Sequence, residues 1–246
     1  MKTLLEICAA DIDSVYAAAR GGADRVELCC ALSEGGLTPS IGMIEEALKV
    51  PGIKVNVLIR PRSGDFVYSD AELLVMLHDI ENCKRLGVNG VVFGALKPDG
   101  TIDIEGCRRL ANEAFGMHMT FHRAFDMCVN PQDAVRDIQE LGFDRILTSG
   151  QEQSAMKGSE LIRELQRDFP NMTFIAAGGI NPENAVEIVK NTGVKEIHAS
   201  AKTMIESSMT FRRKNVSMGK ADIDEYSRQT SDIDTIHRIK TKLSII

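Results

Sequence analysis

The sequence repeats one local pattern along its length: a short run rich in β-branched residues, a turn or capping residue, and then a stretch with helical periodicity. Eight strands are predicted at about 4–8, 25–29, 54–60, 90–93, 118–122, 145–148, 173–177 and 196–199. Eight helices are predicted at about 11–20, 38–49, 69–86, 104–115, 131–141, 159–169, 182–191 and 222–243. Strands that alternate with helices pair in parallel through right-handed crossovers, so the pattern predicts an α/β fold.

The number of repeats and the length of the chain favour one closed barrel. A (β/α)₈ TIM barrel needs about 250 residues, and this chain has 246. The alternative is an open, doubly wound sheet, but no G-x-G-x-x-G motif follows the first strand. No linker or shift in composition divides the chain. We therefore expect a single TIM-barrel domain over 1–246, with 201–246 as the last loop and closing helix.

Composition and charge exclude several classes of protein. The net charge of −6 argues against a broad nucleic-acid interface, which needs a basic surface. The densest basic cluster, Arg212-Arg213-Lys214, is interpreted as a solvated loop. No apolar run is long enough to span a bilayer, and the N-terminus lacks the features of a signal peptide. The six cysteines show no C-x-x-C spacing, which indicates free thiols in the cytoplasm.

Strand side chains alternate between two faces, and this alternation places polar groups inside the predicted barrel. The residues predicted to face inward are Glu6, Cys8, Glu27, Cys29, Asn56, Arg60, His118, Thr120, His122, Glu196, His198 and Ser200. Barrel interiors are normally filled by Val, Ile and Leu. A buried charge must pair, bind a ligand or meet water. Either Glu6 and Glu27 form a structural network with Arg60 and His122, or a polar pocket opens at the carboxyl ends of the strands. We favour the pocket.

Two thiols occupy equivalent positions on neighbouring strands. Cys8 follows Glu6-Ile7, and Cys29 follows Glu27-Leu28. Neighbouring strands lie about 4.8 Å apart, so two inward thiols at equal height could bind one soft ion. Two thiolates suit Cu(I). The alternative is that both are small packing residues, because free cysteine is among the most buried residue types.

A second group of residues suggests anion binding and proton transfer. Arg60 ends the third predicted strand, and Arg62 and Arg123 lie just beyond strands. All three could hold a carboxylate or phosphate, or they could pair with nearby acids. His122, Glu6, Glu27 and Asp126 are candidates for general acid–base catalysis, although His122 could equally be a satisfied buried histidine. Gly178, Gly179, His198 and Ser200 lie at the ends of strands seven and eight, where barrels often bind phosphate. Strand six carries no Lys, which argues against a Schiff-base aldolase.

Several longer blocks form a pattern beyond these single residues. The segments LEIC, GGADRVELC, EGGLTPS, IRPRSGDFVYSD, GVVFGALKPDG, TFHRAFD, ILTSG and FRRKNVSMG occur in this order over 5–218. Together they resemble the CutC family of copper homeostasis proteins. The resemblance implies a TIM barrel, a cytoplasmic homo-oligomer (a dimer or tetramer) and copper ligands at Cys8 and Cys29.

Two functions from different classes follow as hypotheses. The first is a copper-homeostasis protein that binds Cu(I) through Cys8 and Cys29, with Glu6 and Glu27 nearby. The second is an enzyme that acts on a small anionic or phosphorylated metabolite in the Glu/Arg/His pocket. An oligomeric scaffold with a vestigial pocket is a third, simpler possibility.

Overall fold

The computed structural model describes residues 3–213, 215–216, 218 and 224–246. Eight parallel strands, β1 to β8, close into a barrel in chain order, so the predicted fold is confirmed. The strands are Leu4–Ala9, Arg25–Leu28, Lys54–Leu58, Gly90–Phe93, His118–Phe121, Arg145–Thr148, Thr173–Ala177 and Glu196–Ala199. Helices α1 to α8 are Ile12–Gly21, Ile41–Leu48, Asp70–Leu86, Ile104–Glu113, Pro131–Glu140, Ser159–Asp168, Ala185–Thr192 and Ile233–Leu243.

Capping chemistry explains why the helices begin and end close to the predicted positions. Ser69 and Glu72 form a capping box at the start of α3, which satisfies two backbone N–H groups that the helix leaves free. Gly87 ends the same helix in the left-handed conformation, with φ of 78°. A residue with a Cβ adopts that conformation at a cost. Capping residues such as these act on neighbouring residues, so the ends of helices can be predicted from the sequence.

The main hydrophobic core lies between the barrel and the ring of helices. Leu5, Ile7, Val26, Leu28 and Val57 project outward from the strands and are completely buried in it. Burial of each such side chain contributes about 1.5–3 kcal/mol. The outward half of the predicted alternation is therefore confirmed on these strands.

The interior of the barrel is polar near its amino-terminal end. Arg25 contacts Glu6 and donates to Glu196 Oε2 at 2.6 Å. Arg145 also contacts Glu196, at 3.2 Å. The predicted network of Glu6 with Arg60 and His122 is wrong, because Glu6 pairs with Arg25 and with His198 instead.

His118 occupies a different environment from the one predicted. Its side chain is 53% exposed and lies 3.5 Å from Asp144. It is the first residue of β5, so it lies at the amino-terminal rim, on the opposite end of the barrel from the strands' carboxyl ends. The prediction of a buried interior side chain is wrong here because His118 lines a cavity at this end of the barrel that is open to solvent.

The region after β8 differs most from prediction. The helix predicted over 222–243 begins only at Ile233, and the start of the predicted range, 222–223, lies outside the described residues, as does Lys214. Strands β9 (Lys202–Glu206) and β10 (Ser227–Ser231) form an antiparallel pair. Ser231 N donates to Ser14 Oγ at 2.9 Å and Arg228 pairs with Asp13 at 2.6 Å, which fixes β10 against α1. The sequence SRQTS lacks the apolar alternation by which strands are recognised.

The described helices include none that combines the length and the apolar character needed to cross a membrane. Arg212 and Arg213 are exposed, as predicted for that part of the basic cluster.

Candidate functional site

A cavity of about 270 Å³ opens at the carboxyl ends of the barrel strands. It brings together residues that lie far apart in the sequence. The predicted site residues that line it are Cys8, Glu27, Arg60, His122, Arg123, Gly178, Gly179, His198 and Ser200. The cavity therefore contains thiol, carboxyl, imidazole and guanidinium groups, which come from separate strands and the loops that follow them.

Four further predicted residues lie outside the cavity lining: Cys29, Glu6, Arg62 and Asp126. Cys29 is completely buried behind Cys8, and Glu6 is buried beneath His198. Arg62 turns away to Glu72, at 2.5 Å, and to Asp65. It is therefore held by acids of its own loop.

Asp126 is already saturated with hydrogen bonds. It accepts from Thr148 Oγ1 at 2.5 Å, from Ser149 N at 3.0 Å and from Gln151 N at 3.2 Å. Arg123 Nε also donates to it, at 2.7 Å. These bonds join the loop after β5 to the loop after β6, so this carboxylate fixes the rim of the cavity.

The two thiols are in contact. Cys8 Sγ and Cys29 Sγ lie 3.7 Å apart, and both side chains are buried. The register of β1 and β2 explains the contact between the thiols. Cys8 lies opposite Glu27, and Cys29, two residues after Glu27, faces inward as Glu27 does. Metal–sulfur bonds of about 2.3 Å from one ion to both sulfurs would meet at about 107°. That angle is far from linear, so the spacing fits a metal ion that also takes a third or fourth ligand.

Further donors are present beside Cys8. One ligand atom each from Cys8, Glu27 and His198 lies within 4.8 Å of the others. Glu27 Oε1 is 4.0 Å from Cys8 Sγ. The sequence predicted Cys8 and Cys29 as the metal ligands and assigned Glu27 and His198 other roles. The alternation of strand residues predicted that Glu27 and His198 face inward, but it could not predict that they lie close to Cys8.

A buried ion pair orients His198. Its Nδ1 lies 2.7 Å from Glu6 Oε1, and Arg25 contacts the other Glu6 oxygen. Burial alone would raise the pKa of Glu6, but Arg25 and His198 together lower it to about 2. Glu6 is therefore an ionised acceptor, so His198 Nδ1 carries the proton and Nε2 is left for a ligand. Metal-binding histidines are commonly oriented by a carboxylate in this way.

The charges around His198 and Glu27 depend on each other. Burial lowers the pKa of His198, but the nearby Glu27 and Glu6 carboxylates outweigh that effect and raise it. Burial raises the pKa of Glu27 to about 7, with Glu6 adding to the increase. Its Oε2 atom is buried and has no hydrogen-bond partner among the described residues. Glu27 is thus an unsatisfied oxygen donor at the edge of the cavity.

The Cys8 thiol is held in its protonated form when no metal is bound. Its hydrogen bond with Cys29, its burial and the nearby Glu27 and Glu6 carboxylates all raise its pKa well above the ordinary value. A metal ion bound to the Cys8 sulfur would displace this proton, because the thiolate is the ligand. The sulfur of Cys8, the imidazole nitrogen of His198 and a carboxylate oxygen of Glu27 lie within 4.8 Å of one another, and this set of donors fits a soft or borderline metal ion. Cys29 contacts Cys8 but is not a member of that group.

The fold and this cluster define a class of protein: a (β/α)₈ barrel whose mouth brings sulfur, imidazole and carboxylate donors together. The chain belongs to the CutC family, whose model matches residues 3–203. The resemblance noted in the sequence is thereby confirmed.

Relatives of nearly the same length support this assignment. The CutC family protein of Bacteroides thetaiotaomicron is 44% identical over 247 residues, covering 98% of this chain and 99% of that protein. The corresponding protein of Parabacteroides distasonis is 45% identical over 245 residues, covering 99% of this chain and 98% of the relative.

Solved structures agree on the fold. A crystal structure described as a copper homeostasis protein CutC from Streptococcus agalactiae is 34% identical, with a TM-score of 0.77, and the match covers 80% of this chain and 98% of that one. An aldolase named QR15 has a TM-score of 0.60 at 16% identity, covering 79% of this chain and 89% of the aldolase. At that identity the likeness shows the shared barrel alone.

Proposed function

We propose that this protein serves copper homeostasis in the cytoplasm by binding Cu(I) at the mouth of its barrel. The observation that carries the proposal is the contact of two buried thiols, Cys8 Sγ and Cys29 Sγ, at 3.7 Å. Sulfur ligands are selective for Cu(I). The related structure from Streptococcus agalactiae is itself described as a copper homeostasis protein, which supports the same role for this chain.

The surrounding residues would each contribute to holding the ion. Cys8 and Cys29 supply the two sulfur ligands. His198 supplies a third donor, already oriented by Glu6, and Glu27 stands 4.0 Å from Cys8 Sγ as a further oxygen donor. Copper is the cargo of this site, so the residues bind and release it without changing it chemically.

The test is a Cu(I) titration under anaerobic conditions against a competing chromophoric chelator. The wild-type protein is expected to bind one equivalent, and the double variant Cys8→Ser with Cys29→Ser is expected to lose it. Cys30→Ser is the matched control, because the Cys30 thiol bonds to Thr38 O at 3.2 Å, outside the cavity, and a serine hydroxyl can keep that bond. Unchanged affinity in the double variant would rule the proposal out.

The assembly of the protein is also a proposal. The resemblance to the family predicts a homo-oligomer, either a dimer or a tetramer. Light scattering coupled to size-exclusion chromatography measures this directly, and a monomer at all accessible concentrations would contradict it.

A further inference from the structure

One wall of the mouth cavity carries a buried positive charge, that of Arg60, which has no carboxylate partner among the described residues. Arg60 is 6% exposed. Its Nη1 donates to Glu34 O at 2.9 Å and Gly36 O at 3.1 Å, and its Nη2 donates to Gly64 O at 2.7 Å. These three acceptors are backbone carbonyls without net charge. Arg60 Nε is buried and has no acceptor among the described residues.

The aromatic neighbours of Arg60 carry no negative charge that would neutralise the guanidinium. The Phe66 ring lies under the guanidinium, 5.0 Å from its Cζ to the ring centroid. The Tyr68 hydroxyl is neutral, because burial raises its pKa to about 12 although Arg60 and Arg62 oppose the increase. Burying an uncompensated charge costs several kcal/mol. An anion bound beside Arg60 would offset much of that cost.

His122 adds an unsatisfied donor on the same wall. Its Nδ1 accepts from Ala124 N at 3.2 Å, so the proton of the neutral ring lies on Nε2. That atom is buried and has no partner among the described residues. Burial and the charge of Arg60 lower the pKa of His122 to about 3, which keeps the ring neutral. Phe66 contacts this ring too, with centroids 4.9 Å apart.

We propose that Arg60 and His122 form a subsite for the oxyanion group, a carboxylate or a phosphate, of a small metabolite. The bound oxygen atoms would accept from His122 Nε2 and be attracted by the Arg60 guanidinium. This subsite is distinct from the sulfur pair, although Cys8, Arg60 and His122 line the same cavity.

The size and lining of the cavity limit the ligand. Its volume of about 270 Å³ lies just below the range of about 300–1,000 Å³ that is typical of pockets for drug-sized ligands. The cavity therefore suits a smaller metabolite. Leu58, Leu147 and Ile180 supply an apolar surface in the same cavity, which suits a short carbon skeleton attached to the oxyanion. Such a subsite is also the component that a metabolite-converting enzyme in this cavity would need.

The experiment uses metal-free protein and two probes, inorganic phosphate and pyruvate, in calorimetric titrations at constant ionic strength with chloride as the balancing anion. One of the probes is expected to bind with a millimolar dissociation constant. Preference for phosphate would indicate a tetrahedral group, and preference for pyruvate a planar carboxylate. Absence of binding by both probes up to about 10 mM, equivalent to less than about 3 kcal/mol of binding free energy, would overturn the proposal.

Two variants of one residue separate binding from a structural role. His122→Asn keeps an oxygen where Nδ1 accepts from Ala124 N but removes the distal N–H. His122→Gln places an amide N–H near the position of Nε2 and sacrifices the contact with Ala124. Loss of a hydrogen bond to a charged acceptor weakens binding about tenfold or more, so His122→Asn should bind the probe at least tenfold more weakly, and His122→Gln should bind it better than His122→Asn. Wild-type binding by the folded His122→Asn variant would show that the anion binds elsewhere.

Discussion

His198 on the last strand of the barrel lies 2.7 Å from Glu6 on the first. The contact exists because β1 and β8 pair directly, with Glu6 opposite His198 in the register. It crosses the seam where the barrel closes. Through Glu6, the ion pair with Arg25 at the amino-terminal end is connected to the donor atoms at the mouth.

Replacement of His198 should weaken the metal site without removing it. His198→Phe removes a third donor while both sulfurs stay in place. Loss even of a residue that only orients a ligand costs 10–100-fold in metal affinity, so the loss of His198 should weaken Cu(I) binding by about tenfold or more. The measurement is the anaerobic competition titration. His78→Phe is the control, since His78 is exposed on α3. Equal affinities in the two variants would remove His198 from the ligand set.

Copper affinity should increase with pH. The raised pKa of the Cys8 thiol means that binding must displace at least one proton near neutral pH. Each displaced proton makes the apparent affinity rise about tenfold per pH unit below the thiol pKa. Titrations between about pH 6 and pH 8 should therefore show steadily tighter binding at the higher values. A flat profile would mean that the sulfurs are not the ligands.

Glu27→Gln should stabilise the metal-free protein, and more so at higher pH. The pKa of Glu27 is about 7 in the folded protein against an ordinary 4.5, so folding favours its protonated form. The favourable contribution is complete below pH 4.5 and is lost as the pH rises through 7. Since one pKa unit corresponds to about 1.4 kcal/mol, the variant should gain about 2–3 kcal/mol in the free energy of unfolding between these limits, relative to wild type. Urea denaturation at pH 5 and pH 8 measures it. A gain that does not depend on pH would contradict the buried, unpartnered carboxylate.

Arg25→Met should destabilise the fold strongly. The substitution leaves Glu6 and Glu196 buried without the cation that contacts both. Removal of one partner from a buried ion pair costs about 3–5 kcal/mol, which denaturant unfolding at neutral pH would reveal. Arg136→Met is a suitable control, because its ion pair with Asp133 is exposed and should contribute at most about 1 kcal/mol. If both variants lose the same stability, the amino-terminal ion network is not structurally important.

Glu6 gives that network its own pH dependence. Its folded pKa of about 2 lies below the ordinary 4.5, so its contribution to stability is present above pH 4.5 and is lost as the pH falls toward 2. Arg25→Met should abolish most of this loss. The comparison of acid-unfolding profiles for wild type and variant provides the check.

The sequence alone determined the barrel and much of its interior. Eight repeats of strand and helix are local patterns, and β4, β6, β7 and β8 lie at the predicted residues. Alternation placed Cys8, Cys29, Glu27 and His122 inside because side chains on a strand have a strict period of two. The capping residues Ser69 and Gly87 bond only to residues within about one helical turn, so the sequence also predicted the ends of this helix.

The tertiary structure decided which inward groups meet. The pairing of Glu6 with His198 depends on the closure of β8 onto β1, and the role of Arg25 depends on its register opposite Glu6. Arg62 forms ion pairs with Glu72 and Asp65 and does not reach the cavity. Strand β10 formed from a polar segment because contacts with α1 anchor it. A local pattern fixes the direction of a side chain, whereas the register between distant strands fixes its neighbour, and it is the neighbours that determine the chemistry of the site.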